Sequence, residues 1–568
     1  MFRIYRYALS LVAVTVSAVS LAQNLDPTVE VSRAYEGNLV EVHKPSLEVS
    51  VPDTVQQFRL DFDYSVFDSP YKGSYEFNPY MASMRPASSA VNPKTFYLRA
   101  GAGYRLNPVA DIIWSPAFKK GFRMDVYASH RSYVGDYRAI VPEVRDMQTF
   151  LVPGGKWKEN GYDLKTDAGT SGCYEWTRGV MDFDLAYLGI HSKDYMKPRS
   201  YNAVNASVGV ASKAAGNFFY DVDLGYRFAA DKSLQRIREN FFSLDADLGP
   251  KIKSVHKILF DMGLDMALYS NASDWGTARM NFTPHYVFEK GRWKLDVGLK
   301  IDFLVASDDD SESESVDRQQ VVYPDVKVEF AAIENAMNLY ASATGGNYLN
   351  TYTDVVRRNH FADASFFYGN GLQSTVERLN ARIGVKGRIG SRFSYDLRGG
   401  YAGYGNMLLD AVYVSPDLES PAGIGYSGCS KAYVGLDMLL DTERFRFDAD
   451  LAYAHYWGFE AKPHLLAPAS FTGEASVEYN IRKRIFFGVD CSFASARKNL
   501  VPVNYIVSVD RYFRIPGYAD LGAFAEVVTS RKLSFWARGG NLLNMTIQRT
   551  PLYAEGGISF TVGICLNL

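Results

Sequence analysis

Eight histidines are the first place to look for chemistry: His43, His130, His191, His256, His285, His360, His455 and His464. None stands in an HExxH or other metal-ligating spacing, and no GxSxG or P-loop occurs. His256 and His455 share the apolar register of strand-like runs, which suits interfacial or structural positions. Cys173, Cys429, Cys491 and Cys565 are scattered and form no CxxC, so they read as small strand residues rather than a disulfide or zinc framework. Asp308, Asp309 and Asp310, with Glu312, Glu314 and Asp317, form an acidic serine-rich loop. It suits either a solvated external loop or divalent-cation recruitment at a lipopolysaccharide surface. It lacks the glycine and the spacing of a calcium hand. No residue is therefore assigned to catalysis, to a metal or to a cofactor, and the chain is not read as an enzyme.

The charges with a pattern are those that alternate with apolar residues. Trp293, Leu295, Val297, Leu299, Ile301 and Phe303 are apolar, with Lys294, Asp296, Gly298, Lys300 and Asp302 between them. Successive strand side chains point to opposite faces, so one face is apolar and the other charged. The same holds for Phe218–Phe228, for Ile258–Leu268, for Phe445–Tyr453 and for Ile558–Leu568. The charged face collects Asp182, Asp184, Asp221, Asp223, Arg227, Asp296, Lys300, Arg382, Lys386, Arg446, Asp448 and Asp450. Their signs are mixed, which fits either charge networks across a lumen or a simply wet interior more than one selective ring.

What must position them is a set of long strands. These runs exceed the roughly five or six residues of an average soluble strand. They match the about 9–11 residues of a tilted membrane-spanning strand. Tyr and Phe number 39 and 35, an excess that favours strands and the aromatic girdles of membrane barrels. Mean hydropathy is −0.16, and no apolar run long enough for a membrane helix follows the N-terminus. Lys+Arg is 61 against Asp+Glu 63, a balance that argues against nucleic acid as a partner.

Residues 1–22 read as a secretory signal. Arg3 and Arg6 precede an apolar stretch, and Ser20-Leu21-Ala22 supplies the small residues of a cleavage site. Residues 23–94 form an extended, proline-containing periplasmic or lumenal segment. Residues 95–568 are expected to form a closed antiparallel transmembrane β-barrel of about 22 strands, with long extracellular loops and short periplasmic turns. The strands run from 95–104 to 557–568 and include 170–177, 392–404 and 428–440. Short turns fall at Lys119-Lys120-Gly121, Thr177-Arg178-Gly179, Ala214-Ala215-Gly216, Glu289-Lys290-Gly291, Ile389-Gly390-Ser391, Asp441-Thr442-Glu443, Arg482-Lys483 and Ser530-Arg531. The opposite end collects the long segments 132–169, 305–318, 346–373, 405–427, 497–516 and 542–556.

Two motifs carry a resemblance. Asn541-Leu542-Leu543-Asn544 before the last strand resembles the C-terminal hairpin of TonB-dependent receptors of Gram-negative outer membranes, whose barrels have 22 strands. Tyr97-Leu98-Arg99-Ala100-Gly101-Ala102-Gly103-Tyr104, with Asn107-Pro108, resembles the first hairpin of a plug-poor branch of such receptors. The chain departs from the family twice. Gln23–Lys94 is too short and too rich in proline for a standard plug, and the chain ends in Leu568 rather than an aromatic residue. Thr28-Val29-Glu30-Val31 resembles a TonB-binding box, which an extended strand would present for β-augmentation.

The resemblance implies gated passage or uptake of a solute across the outer membrane, with the outer membrane as location. The alternative is a structural, assembly or secretion-partner barrel without TonB coupling. Implied partners are outer-membrane lipid and lipopolysaccharide, TonB or a periplasmic lipoprotein, and the barrel-assembly machinery. A 22-strand lumen must be filled. Loop 132–169, with Pro142, Pro153, Gly154, Gly155, Trp157, Gly161 and Tyr162, is expected to fold inward and occlude it together with residues 23–94. Loop 346–373 is a further candidate.

Overall fold

The computed structural model describes residues 95–568 apart from 105, 119–120, 136–137, 146–147, 157–160, 194–197, 214–217, 233–235, 253–254, 272–274, 309–316, 335, 363–371, 413–421, 461, 463, 501–512 and 556. The signal at 1–22, the segment 23–94 with Thr28–Val31, turn residues Lys119, Lys120 and Ala214–Gly216, and most of the acidic loop lie outside the described residues.

Alternation builds the wall. The strands are β1 (Phe96–Tyr104), β2 (Val109–Trp114), β3 (Phe122–Gly135), β4 (Arg138–Arg145), β5 (Gln148–Lys156), β6 (Gly161–Glu175), β7 (Gly179–Lys193), β8 (Pro198–Ser212), β9 (Phe218–Asp231), β10 (Arg238–Ile252), β11 (His256–Ser270), β12 (Trp275–Lys290) and β13 (Trp293–Asp308). They continue as β14 (Asp317–Ile333), β15 (Met337–Tyr348), β16 (Thr375–Ile389), β17 (Phe393–Val412), β18 (Ala422–Asp441), β19 (Phe445–Trp457), β20 (Phe471–Ile481), β21 (Ile485–Ala494), β22 (Arg497–Lys498), β23 (Phe513–Ile515), β24 (Tyr518–Val528), β25 (Leu533–Gly540) and β26 (Ser559–Asn567). Among the described residues a short helix, α1 (Tyr352–Arg358), lies between β15 and β16.

Twenty-two of these strands make one antiparallel sheet that closes on itself, because β26 pairs with β1 through Leu566↔Leu98 and Cys565↔Arg99. Closure pairs the backbone all round and leaves no edge, as a strand-built membrane crossing requires. The exposed apolar residues alternate as expected: Ile258, Phe260, Met262 and Leu264 on β11, Val297 and Leu299 on β13, and Phe560, Val562 and Ile564 on β26. No helix among the described residues is long and apolar enough to cross a membrane. Turns at one end are tight. Gly291 and Gly390 take φ +62° and +63°, where a side chain would be strained.

Three expectations need correction. The strand expected at 170–177 begins at Gly161, so Gly161 and Tyr162 pair with Gly135 and Val134 in the wall and belong to no lumenal loop. The strands expected at 392–404 and 428–440 run far past their expected loop ends, each to 20 residues. Finally, loop 132–169 is not the irregular chain expected from its prolines and glycines. It carries the β4–β5 hairpin, which joins β22 and β23 in a separate four-stranded sheet. Its prolines are tolerated there because β4 is an edge, and Pro153 lies beyond the Thr149–Phe150 stretch that pairs with β23.

Candidate functional site

The described parts of the connection from β15 to β16, residues 349–362 and 372–374, pack against the strands of the barrel. Local sequence starts it. Thr351 caps α1, its backbone N–H donating to Asp354 Oδ2 at 3.1 Å while Asp354 N–H donates back to Thr351 Oγ1 at 3.3 Å. Such a reciprocal box satisfies orphan donors of a helix start. Asn350 Nδ2 donates to the Gln373 carbonyl at 2.7 Å, tying the two legs of the loop together. Register shifts at Thr344/Gly346 and Val376/Glu377 bend the wall where the loop leaves it.

Glu239 on β10 is the anchor. Its side chain is fully buried. Oε1 accepts from Arg227 Nε at 2.9 Å and from Thr353 Oγ1 at 2.5 Å. Oε2 accepts from Tyr269 Oη at 3.1 Å and from the Thr353 backbone N–H at 3.2 Å. The carboxylate's acceptor sites are thus filled by two wall side chains and the loop. Tyr201 Oη donates to Thr353 Oγ1 at 2.5 Å, Arg227 Nη2 donates to Thr351 Oγ1 at 2.8 Å, and Tyr352 Oη donates to Asp231.

Under these polar contacts lies a dry core. Tyr352, Val355 and Val356 pack with Leu188, Ile190, Ala203, Ala229 and Ala267 of the wall. Ala203 and Ala229 are register partners, and their small side chains leave a recess for the helix. Burial of this kind stabilises by about 1.5–3 kcal/mol per large side chain.

Beyond α1 the loop reaches other strands. Arg358 Nε donates to Asp410 Oδ1 of β17 at 2.8 Å, and Arg497 Nη1 holds the other oxygen at 2.8 Å. His360 Nδ1 lies 2.7 Å from Asp163 of β6, and Ser192 Oγ donates to the His360 carbonyl at 2.6 Å. Burial opposes a charge on His360, but the Asp163 carboxylate outweighs it and raises the imidazole above its ordinary value. Phe361 stacks on Tyr553 with centroids 4.1 Å apart. Round the ring, β6 and β17 are 11 of 22 strands apart. One short segment that touches β6, β10 and β17 must run across the interior, so the face bearing Arg227 and Glu239 is the inner one.

The same barrel is found among solved transporters and receptors. The FrpB iron transporter from Neisseria meningitidis (F3-3 variant) aligns with TM-score 0.62 at 10% identity, over 84% of this chain and 82% of that one. The copper transporter OprC aligns with TM-score 0.58 at 11% identity, over 84% and 83%. The siderophore receptor PiuA from Acinetobacter baumannii aligns with TM-score 0.57 at 11% identity, over 84% and 82%. No protein-family model and no curated protein matches the sequence. At these identities the likeness is one of fold, and it agrees with the 22-strand architecture expected from the resemblance.

Of the charged residues singled out in the sequence, only Arg227 belongs to the loop seat. Asp182, Asp184, Asp221 and Asp223 gather toward the turn end of β7 and β9, where Asp223 is the register partner of Asp245, and Asp221 of Asp247. Asp247 in turn faces Asp261. Asp296 pairs with His285 at 2.9 Å, and Lys300 is the register partner of Tyr323. Arg382 donates to Tyr433 Oη at 3.4 Å, and Lys386 pairs with Glu329 at 3.0 Å. Arg446 lies 3.8 Å from Asp448, and Asp450 stands between Asp437 and Glu474 in register. These contacts follow the wall from strand to strand, whereas the loop is what crosses the interior. Glu239, Thr353, Asp163 and His360 were missed as site residues. The Thr351-x-x-Asp354 spacing was the one local sign of α1.

Proposed function

We propose that the protein is an outer-membrane barrel of the TonB-dependent-receptor-like kind that passes a solute through a gated lumen, and that loop 349–374 is the gate at its outer end. The observation that carries this reading is the docked loop, joined to strands half a ring apart inside a closed 22-strand sheet. The solved structures of like fold include iron and copper transporters and a siderophore receptor, which supports uptake rather than catalysis. In this reading the signal at 1–22 directs export, and the segment 23–94 offers Thr28–Val31 to TonB as an added strand. The barrel-assembly machinery inserts the chain, with lipopolysaccharide around its outer rim.

The test is conductance in planar bilayers. The full barrel should conduct weakly, and removal of residues 351–372, with the legs rejoined by a short glycine linker, should open a large steady pore. An equally closed barrel after that deletion overturns the gate. Deleting residues 26–32 then separates two modes of work: lost uptake with normal assembly assigns energised import, and unchanged uptake assigns a passive conduit.

A further inference from the structure

The turn end of the barrel is basic in a way the passage of solute does not use. The β12–β13 turn carries Lys290 and Arg292, the β16–β17 turn Arg388 and Arg392, and the β20–β21 turn Arg482, Lys483 and Arg484, all exposed. Glu289 is the one acid within these three turns. Elsewhere on this end Glu175 is already engaged by Arg123 at 2.8 Å and Lys213 at 3.6 Å, and the two turns between these three carry Glu334 and, beside Arg444, Asp441 and Glu443, so this stretch of the rim keeps a basic excess. Arg482 and Lys483 sit at φ +51° and +55°. Asn and Gly are the usual choices for such a two-residue turn, so cations stand here where uncharged residues fit the backbone better.

Two features say what faces these charges. The three turns lie four strands apart from one another between β12 and β21, so they form one arc of the rim. Each also adjoins a residue of the outward apolar belt: Trp293, Ile389, and Ile481 with Ile485, between 40% and 61% exposed. A cation next in the chain to a lipid-facing side chain at a strand end stands at headgroup depth. We infer that this arc binds the phosphates of anionic phospholipid headgroups in the leaflet at the turn end. The inference rests on the outer-membrane reading above and adds the lipid class that the rim selects.

The experiment uses the full chain refolded in a mild non-ionic detergent, with retained lipid counted by native mass spectrometry. Phosphatidylglycerol and phosphatidylcholine are offered in equal amounts. The barrel should retain phosphatidylglycerol with a preference of roughly tenfold, falling as salt is raised. The K290Q/R292Q/R482Q/K483Q/R484Q variant should lose that preference while keeping its gel shift on boiling. Equal retention of both lipids, or a preference untouched by salt, overturns the inference. So does displacement of the lipid by an equal concentration of glycerol phosphate, which marks a bare phosphate site. Lipid retention is read without solute passage, so failure of the gate in conductance leaves this result standing, and the reverse.

Discussion

Thr353 and Glu239, 114 positions apart in the chain, meet through two hydrogen bonds to one carboxylate, from the Thr353 backbone N–H at 3.2 Å and its hydroxyl at 2.5 Å. The acid belongs to the wall and both donors belong to the loop. Docking of the loop therefore completes the partners of Glu239, since a carboxylate stripped of these two donors keeps only Arg227 and Tyr269 and must fill its remaining acceptor sites with water.

Glu239→Gln tests that coupling. The amide keeps the shape, loses the charge and sets its own N–H groups among donors. Loop docking should weaken by roughly 3–5 kcal/mol, the range for breaking a buried pair from one side. The checks are single-channel conductance and limited proteolysis. We expect frequent openings and cleavage within 349–374, with the barrel itself still shifting on unboiled gels. A variant as closed and as protected as the parent means that Glu239 does not hold the gate.

His360 makes the gate sensitive to pH. Its imidazole, held beside Asp163, is raised above the ordinary value of 6.5. The proton's contribution to docking is fully present below the undocked value and is lost as pH rises through the docked one. Conductance should therefore increase on the alkaline side, and His360→Gln should flatten the profile. Lys165 and Asp167 also face the imidazole electrostatically, with opposite effects. Openings that increase toward acid would reverse the assignment.

The two faces of β13 predict a contrast. Val297 is exposed in the apolar belt. Lys300, of opposite parity on the same strand, shares its face with Asp302 and points inward. Val297→Arg should cost about 2–4 kcal/mol near the bilayer midplane. Lys300→Ala should cost far less, as measured by refolding into lipid vesicles. Equal losses would show that the faces are misassigned.

The barrel was legible in the sequence because a strand's faces alternate residue by residue, and Ile258–Leu268 or Trp293–Phe303 carry that alternation in the open. Loop parity then sorted short turns from long segments. What escaped depends on contacts that local pattern does not encode. Pro142 and Pro153 read as breakers, yet Pro142 lies on an edge strand and Pro153 lies beyond the part of β5 that pairs with β23. Strands β17 and β18 overrun their expected ends because their pairing continues from Met407↔Ser427 to Val412↔Ala422, beyond a register shift. Helix α1 has only seven residues, too few for a helical period to show. Its seat is assembled from Tyr201, Arg227, Glu239 and Tyr269 on four strands, which look like ordinary lumenal positions until the loop arrives.

The pairing of β1 with β26 has a consequence for manufacture. The finished ring has no first or last strand, but the growing chain has both. Until Ser559–Asn567 is in place, β1 and the newest strand each present a bare row of amides and carbonyls, a template for any other chain. The contact that ends this exposure joins Tyr97 to Asn567, so its loop-closure entropy is met by the last strand of all. A cell that exports this protein must shield both rims for the whole of synthesis, which is work for an assembly machine that lends a temporary edge. A chain truncated before β26 is then not a smaller pore but an open sheet bound for aggregation.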